Sequence, residues 1–292
     1  GKSTFVRLAD GTTKEFTEER TVEAVDFAPK GLRIAVARYN GVTLHWVGTA
    51  GAPVDLDWKG AHTGVTFSPD GRFVVTMMQE SALHGWKLDG KAADTRHMRM
   101  TGYPAKVKSL SWSPKGKWLA SSGAPAAIVW PVSGKDGPMG KAPLELGTRA
   151  NILVTQVAFH PIEEVLAIGF IDGMILAVRI ADNKEALLRR PGKGAITSLA
   201  WISTGKLLAF ASEAGDCGVV DITGTPLSDC EAGWLTIRRP FSSTRLKSCS
   251  ASRSNPSSPS SATVTWKPSR VRISVSSWVS SRSSSTRSIL CI

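Results

Sequence analysis

The sequence predicts an all-β fold, a β-propeller of four-stranded antiparallel blades. Three observations carry the prediction. An aromatic residue followed by a tight turn recurs five times, at spacings of 40, 45, 47 and 42 residues. A second landmark follows each copy at a nearly constant offset of 18 or 19 residues. Between the two landmarks lie short apolar runs bounded by turn residues, too short for helices and suited to buried strands. A period of about 40–45 residues with several short strands per unit marks propeller blades.

The five copies are "FAPKG" at Phe27, "FSPDG" at Phe67, "WSPKG" at Trp112, "FHPIEE" at Phe159 and "WISTG" at Trp201. The second landmarks are Trp46, Trp86, Trp130, Val178 and Val220. Residues ahead of each aromatic alternate, as in "VKSLSW" and "ITSLAW", which is the period of a strand with one buried face. Pro and Gly then turn the chain. The runs "LRIAVA", "FVVTMM", "WLASS", "VLAIG" and "LLAFA" read as second strands packed between neighbouring blades. Asn40-Gly41 and Asp172-Gly173 read as type I′ hairpin dipeptides leading to third strands. "PVDLDW" and "PLELG" read as outer strands.

These residues resemble the WD-repeat β-propeller family, and its compact bacterial members in particular, over roughly residues 5 to 223. The five aromatic-led turns and Trp46, Trp86 and Trp130 carry the resemblance. The Asp that usually follows the Trp is Val47, Lys87 or Pro131 here, and Gly102-Tyr103 is the nearest match to the family's opening Gly-His pair. The family's buried His–Asp–Ser/Thr–Trp hydrogen-bond network is therefore expected to be incomplete in most blades.

The ends depart from the repeat. Residues 1–20 read as a partial blade, a third strand "FVRLADG" and an outer strand "KEFT", followed by five repeats over 21–223. The expectation is a natural ring of about seven blades, the family's usual number, with two of them ahead of Gly1. From Ser242 to Ile292, 20 residues are Ser and none is acidic. Three readings of the segment 224–292 stand open: a basic tail that binds nucleic acid or is phosphorylated, disorder without a role, and an out-of-frame translation. The formal charge of +12 belongs to this tail. Ten of the 36 Lys and Arg follow Glu231, the last acidic residue, so the body is close to neutral.

The same reading excludes several chemistries. "GKST" at Gly1–Thr4 matches the end of a phosphate-binding loop but precedes a strand, not the helix that such a loop needs. His45, His62, His84, His97 and His160 show no metal-ligand spacing, and His160 replaces the Ser of its turn. Cys217, Cys230, Cys249 and Cys291 form no C-x-x-C pair, which suits a reducing cytoplasm. No run of about 18 apolar residues predicts a membrane span. No catalytic residue, cofactor or metal is expected.

The expected function is a non-catalytic scaffold for protein–protein interaction through one loop face. The resemblance implies that this face is built from the outer-to-inner connections and the hairpins between second and third strands. Spacing brings Arg38, Tyr39, Trp58, Arg99, Tyr103, Arg149 and Arg190 towards it. Aromatic and Arg residues are what contact hot spots are made of. The partner is another protein; nucleic acid is a partner only if the tail is genuine. Nucleic-acid binding through that tail is the alternative function, and a metal-binding or enzymatic propeller stands behind it.

Overall fold

Antiparallel meanders follow one another along the whole described chain, with no helix among the described residues. The computed structural model describes residues 1–8, 10–29, 33–88, 94–134, 136–192, 194–223 and 290–291. The segment 224–289, with most of the Ser/Arg-rich tail, lies outside them.

The first hairpin pairs β1 (Ser3–Arg7) with β2 (Thr13–Thr17). Blade I begins with β3 (Val22–Phe27), which pairs with the first half of β4 (Arg33–Trp46). Extended, β4 would span about 45 Å. Instead the Arg33 guanidinium lies 4.6 Å from the Trp46 ring centroid, so the element folds back on itself and supplies both the second and third strands. The fold-back falls at Asn40-Gly41, both at positive φ (66° and 144°), as the sequence predicts. Glycine is required at 41 twice over, because a Cβ there would sit 2.3 Å from the Leu56 carbonyl oxygen. The next element, β5 (Val54–Phe67), serves two blades. Its first half pairs with β4 as the outer strand of blade I, and its second half pairs with β6 (Phe73–Met78) as the inner strand of blade II.

Blade II continues through β7 (Leu83–Lys87) and β8 (Asp94–Met100). Blade III orders β9 (Leu110–Trp112), β10 (Trp118–Ser121), β11 (Ala127–Pro131) and β12 (Leu144–Leu146) in sequence, and blade IV does the same with β13 (Val154–Phe159), β14 (Val165–Phe170), β15 (Ile175–Arg179) and β16 (Glu185–Arg189). Blade V has β17 (Ile196–Trp201), β18 (Leu207–Ser212) and β19 (Cys217–Asp221). A two-residue β20 (Leu290–Cys291) runs parallel beside β1.

The hydrophobic core is divided by interface. Val6 packs on Ile34, Val36 and Val47 between the first hairpin and blade I. Leu44 and Leu56 meet Phe67 and Trp86 between blades I and II. Phe73 and Leu83 meet Val107 and Leu119 between II and III. Two more clusters fill the III–IV and IV–V interfaces. Consecutive sheets therefore stack face to face, which makes second and third strands apolar on both sides; all of β14 is buried.

The five aromatic-led turns fold alike. The backbone N–H of the residue after each aromatic donates to a carbonyl five residues on, from Ala28, Ser68, Ser113, His160 and Ile202. Ser68 and Ser113 also accept the N–H of Phe73 and Trp118 on their hydroxyls. At the serine position, His160 instead uses a ring nitrogen, accepting the N–H groups of Ile162 and Glu163 at Nδ1. That leaves Nε2–H to donate to the Gly205 carbonyl of the next blade at 3.1 Å. Gly205 has φ 72°, and a Cβ there would run into the His160 ring.

The hairpins between second and third strands correct one expectation. Asp172 is not at positive φ; only Gly173 is, at 84°. Blades II, IV and V share a three-residue loop in which Met78, Phe170 and Ser212 donate to the carbonyls of Ala82, Met174 and Asp216. The last loop residue, Ser81, Gly173 or Gly215, adopts the left-handed conformation. This is a type I turn closed by a left-handed residue, a three-residue alternative to the two-residue type I′ hairpin.

Candidate functional site

Outer-to-inner connections and second-to-third hairpins form one continuous rim, linked by hydrogen bonds from blade to blade. Tyr39 pairs with Ala61, whose carbonyl accepts the Gln79 N–H at 3.0 Å. The Lys106 ammonium bonds the Gln79 side chain. Ala105 donates to Gly123, Gly123 to Val154, and Val154 back to Ala124. Ile171 donates to Leu153, Gly192 to Asp172 and Glu213 to Ala195. The hairpin tips are the residues twelve positions after each aromatic: Tyr39, Gln79, Ala124, Ile171 and Glu213. Two of them are large, apolar and about half exposed, Tyr39 at 49% and Ile171 at 48%.

The seven residues that spacing assigned to this face separate into two groups. Tyr39, Arg99 and Arg190 are exposed on it. Arg149 lies on it too, tied to Glu185 of β16 at 2.6 Å. Arg38, Trp58 and Tyr103 turn inward. Arg38 reaches Asp55 at 2.7 Å and Glu18 at 3.5 Å, with its side chain only 14% exposed. Trp58 stacks on His84 with centroids 3.9 Å apart. Tyr103 is buried. Arg38 lies within β4 and Trp58 within β5, and side-chain direction depends on local backbone dihedrals that spacing does not encode.

A shared position explains the inward group. Counting nine residues back from the aromatic gives Glu18 in blade I, Trp58 in blade II and Tyr103 in blade III. Each connects its loop to the third strand of its own blade. Glu18 bonds His45 (2.5 Å) and Thr43 (3.0 Å). Burial pulls the Glu18 carboxyl upward, but the hydrogen bonds from His45 and Thr43 and the charge of Arg38 outweigh it and hold it below the usual range. In blades IV and V the position is Ala150 and Gly192, which carry no polar group to make such a tether.

In blade III the tether is a directed relay. Trp130 Nε1 donates to the Tyr103 hydroxyl at 2.7 Å, that hydroxyl bonds Ser121 Oγ at 2.7 Å, and Ser121 donates to the Ile128 carbonyl at 3.0 Å. Burial pushes the Tyr103 phenol up to about 12, so it remains a donor. In this blade a tyrosine in place of histidine links the Ser and Trp members of that network, without an Asp.

Residues 95–130, which span this relay, match the family model described as "WD domain, G-beta repeat". Over these residues the chain is similar to a WD repeat. The succession of stacked antiparallel sheets around that repeat fits a WD-repeat β-propeller. No curated protein matches the chain.

Blade II holds a related cluster. His62 Nε2 meets the Trp58 carbonyl at 2.9 Å, its Nδ1 meets Thr76 Oγ1 at 2.8 Å, and Thr76 also donates to the His84 carbonyl at 3.1 Å. His84 Nε2 lies 2.9 Å from His97 Nδ1. Burial, followed by the charges of His97, His62 and Arg99, drives the His84 imidazole down to about 3, so it is neutral near neutral pH. Burial lowers His62 in the same direction. No group of three or more His, Cys, Asp or Glu among the described residues could hold a metal ion. These histidines act as hydrogen-bonding members of a packed blade. No helix of the described residues is long and apolar enough to cross a membrane.

Proposed function

We propose that the rim carrying Tyr39 and Ile171 is a protein-docking face, and that the molecule is a non-catalytic scaffold. WD repeats typically serve protein–protein interaction, and the match at 95–130 supports that class of activity. The observation that carries the reading is the pair of half-exposed apolar hairpin tips, Tyr39 and Ile171, set among charged neighbours. A partially wetted aromatic or aliphatic side chain on a rigid hairpin loses little conformational freedom on binding, which favours it as an anchor. Arg99 and Arg190 supply exposed cations on the same rim.

The test is photo-crosslinking of the full chain in cell lysate, comparing Tyr39→Ala and Ile171→Asp on this rim with Ile162→Asp in the turn between β13 and β14. Ile162 is 63% exposed. Loss of a crosslinked protein in the first two variants, with retention in the third, is the expected result. Retention in all three refutes the docking rim.

A further inference from the structure

We propose that the sector of this rim above blades I to III docks an acidic peptide segment of the partner protein. The inference rests on the docking-rim reading and gives it a chemistry. Four cations surround Tyr39 and the adjoining loops. Lys59 lies two residues before Ala61, the cross-strand partner of Tyr39. Lys106 sits on the Gln79 side chain, and Gln79 donates to that same Ala61. Lys108 follows on the entry to blade III, where its N–H is fixed by Ser122 Oγ at 3.1 Å. Arg99 lies opposite His84 at the end of β8. Lys59, Arg99 and Lys108 are exposed and Lys106 is half-buried.

None of the four has a carboxylate within ion-pair distance among the described residues, whereas Arg38 beside them is paired with Glu18, Asp55 and Asp57, and Arg149 with Glu185. The local acids are Glu80, whose carboxylate lies against Gly60, and the exposed Asp57, which faces Arg38 at 3.8 Å. Blades IV and V present a different balance, interleaving Asp172, Glu213 and Asp216 with Arg189 and Arg190, and Arg189 is paired with Asp216. The rim is therefore polarised, with cations that lack a carboxylate partner gathered in the sector that also carries the exposed Tyr39 ring. A peptide bearing two or more carboxylates next to an apolar side chain matches both features. Glu80 disfavours a continuous phosphate backbone in the same place, while a peptide can set an amide N–H against it.

Fluorescence anisotropy on the full chain tests this, with a labelled short peptide of alternating Glu and Leu as probe. The same peptide with Gln for Glu and a single-stranded oligo-dT serve as comparators. The basic tail attracts any acid, so the informative quantity is the difference between rim variants. Lys106→Glu with Lys108→Glu should weaken the Glu peptide by about tenfold or more, and Arg190→Glu, across the rim, by less than about twofold. The milder pair Lys106→Gln with Lys108→Gln should move affinity the same way, which separates lost charge from lost folding. Equal losses in the Arg190 variant, or none in either lysine pair, overturn the acidic-peptide site. Tighter binding of oligo-dT with the same sensitivity overturns it in favour of nucleic acid. If the lysine pairs change nothing while Tyr39→Ala still loses its crosslinked protein, this inference falls and the docking rim stands.

Discussion

Blades II and III both place an aromatic residue nine positions before the turn aromatic and a hydroxyl nine positions after it, and reach different degrees of satisfaction. In blade III a tyrosine hydroxyl accepts from Trp130 and donates to Ser121, which donates to a carbonyl, so every donor of the relay meets one acceptor, although Trp112 Nε1 of the same blade is buried with no partner among the described residues. In blade II the corresponding position is Trp58, which has no hydroxyl. His62 moves in from five residues before the aromatic, where blade III has Val107. Neutral His62 donates from Nε2 to Trp58, so it accepts at Nδ1 from Thr76. Thr76 then has one proton for two acceptors, His62 and the His84 carbonyl. Trp86 Nε1 and His84 Nδ1, both buried, find no hydrogen-bond partner among the described residues. Blade III is held by a polar relay. Blade II is held mainly by packing, with Trp58 over His84 and Trp86 almost fully enclosed.

The comparison predicts where substitutions will be costly. The largest effect falls on blade III. Tyr103→Phe keeps the ring but removes the hydroxyl shared by Trp130 and Ser121, and it should lower unfolding free energy by about 2–3 kcal/mol in denaturant melts. A loss under about 0.5 kcal/mol would show the relay to be energetically idle. Thr76→Val in blade II is nearly isosteric and removes a hydroxyl that already serves one acceptor at a time, so its cost should be smaller, about 1–2 kcal/mol. If it equals or exceeds the Tyr103→Phe loss, the contrast between the blades is wrong.

The histidines sharpen the comparison through pH. His84 is held at about 3 in the folded state, below its ordinary value of 6.5. The unfolded chain therefore binds the proton first, and stability is lost as pH falls from 6.5 towards 3. Thermal melts between pH 6.5 and 5 lie above most carboxylate titration and isolate the histidines. A falling Tm is expected there, and His84→Phe should flatten part of the slope, with His62 responsible for the remainder. An unchanged slope in the variant would remove His84 as its source. The smallest stability effect belongs to the rim: Tyr39→Ala should change unfolding free energy by less than about 0.5 kcal/mol, because the residue is half exposed, while abolishing the crosslink.

Strand order and blade spacing were legible in the sequence because they follow from periodicity and turn chemistry. His160 occupies the serine position, as the sequence indicates, but its ring accepts the N–H groups two and three residues on, where the serines accept the one five residues on. The tether at offset nine was not recognised, although its spacing was there to count. Glu18, Trp58 and Tyr103 share no chemistry, so no residue pattern linked them. Tyr103 and Trp58 looked like contact aromatics because loop residues of that type usually are. Only their partners, Trp130 and His84, show that they belong to the interior. The Asp172-Gly173 misreading has a similar origin: the dipeptide suits both a two-residue and a three-residue loop, and the strand register decides between them.

The three-residue hairpins have a consequence for how such a surface can change. In blades II, IV and V the loop is closed by backbone bonds at its base and by one left-handed residue at its end. The tip residues Gln79, Ile171 and Glu213 carry none of that geometry in their side chains. Each blade is thus a cassette whose outermost letter can be rewritten without disturbing the sheet beneath it. Recognition on this scaffold can therefore evolve one letter at a time, with folding left intact at each step.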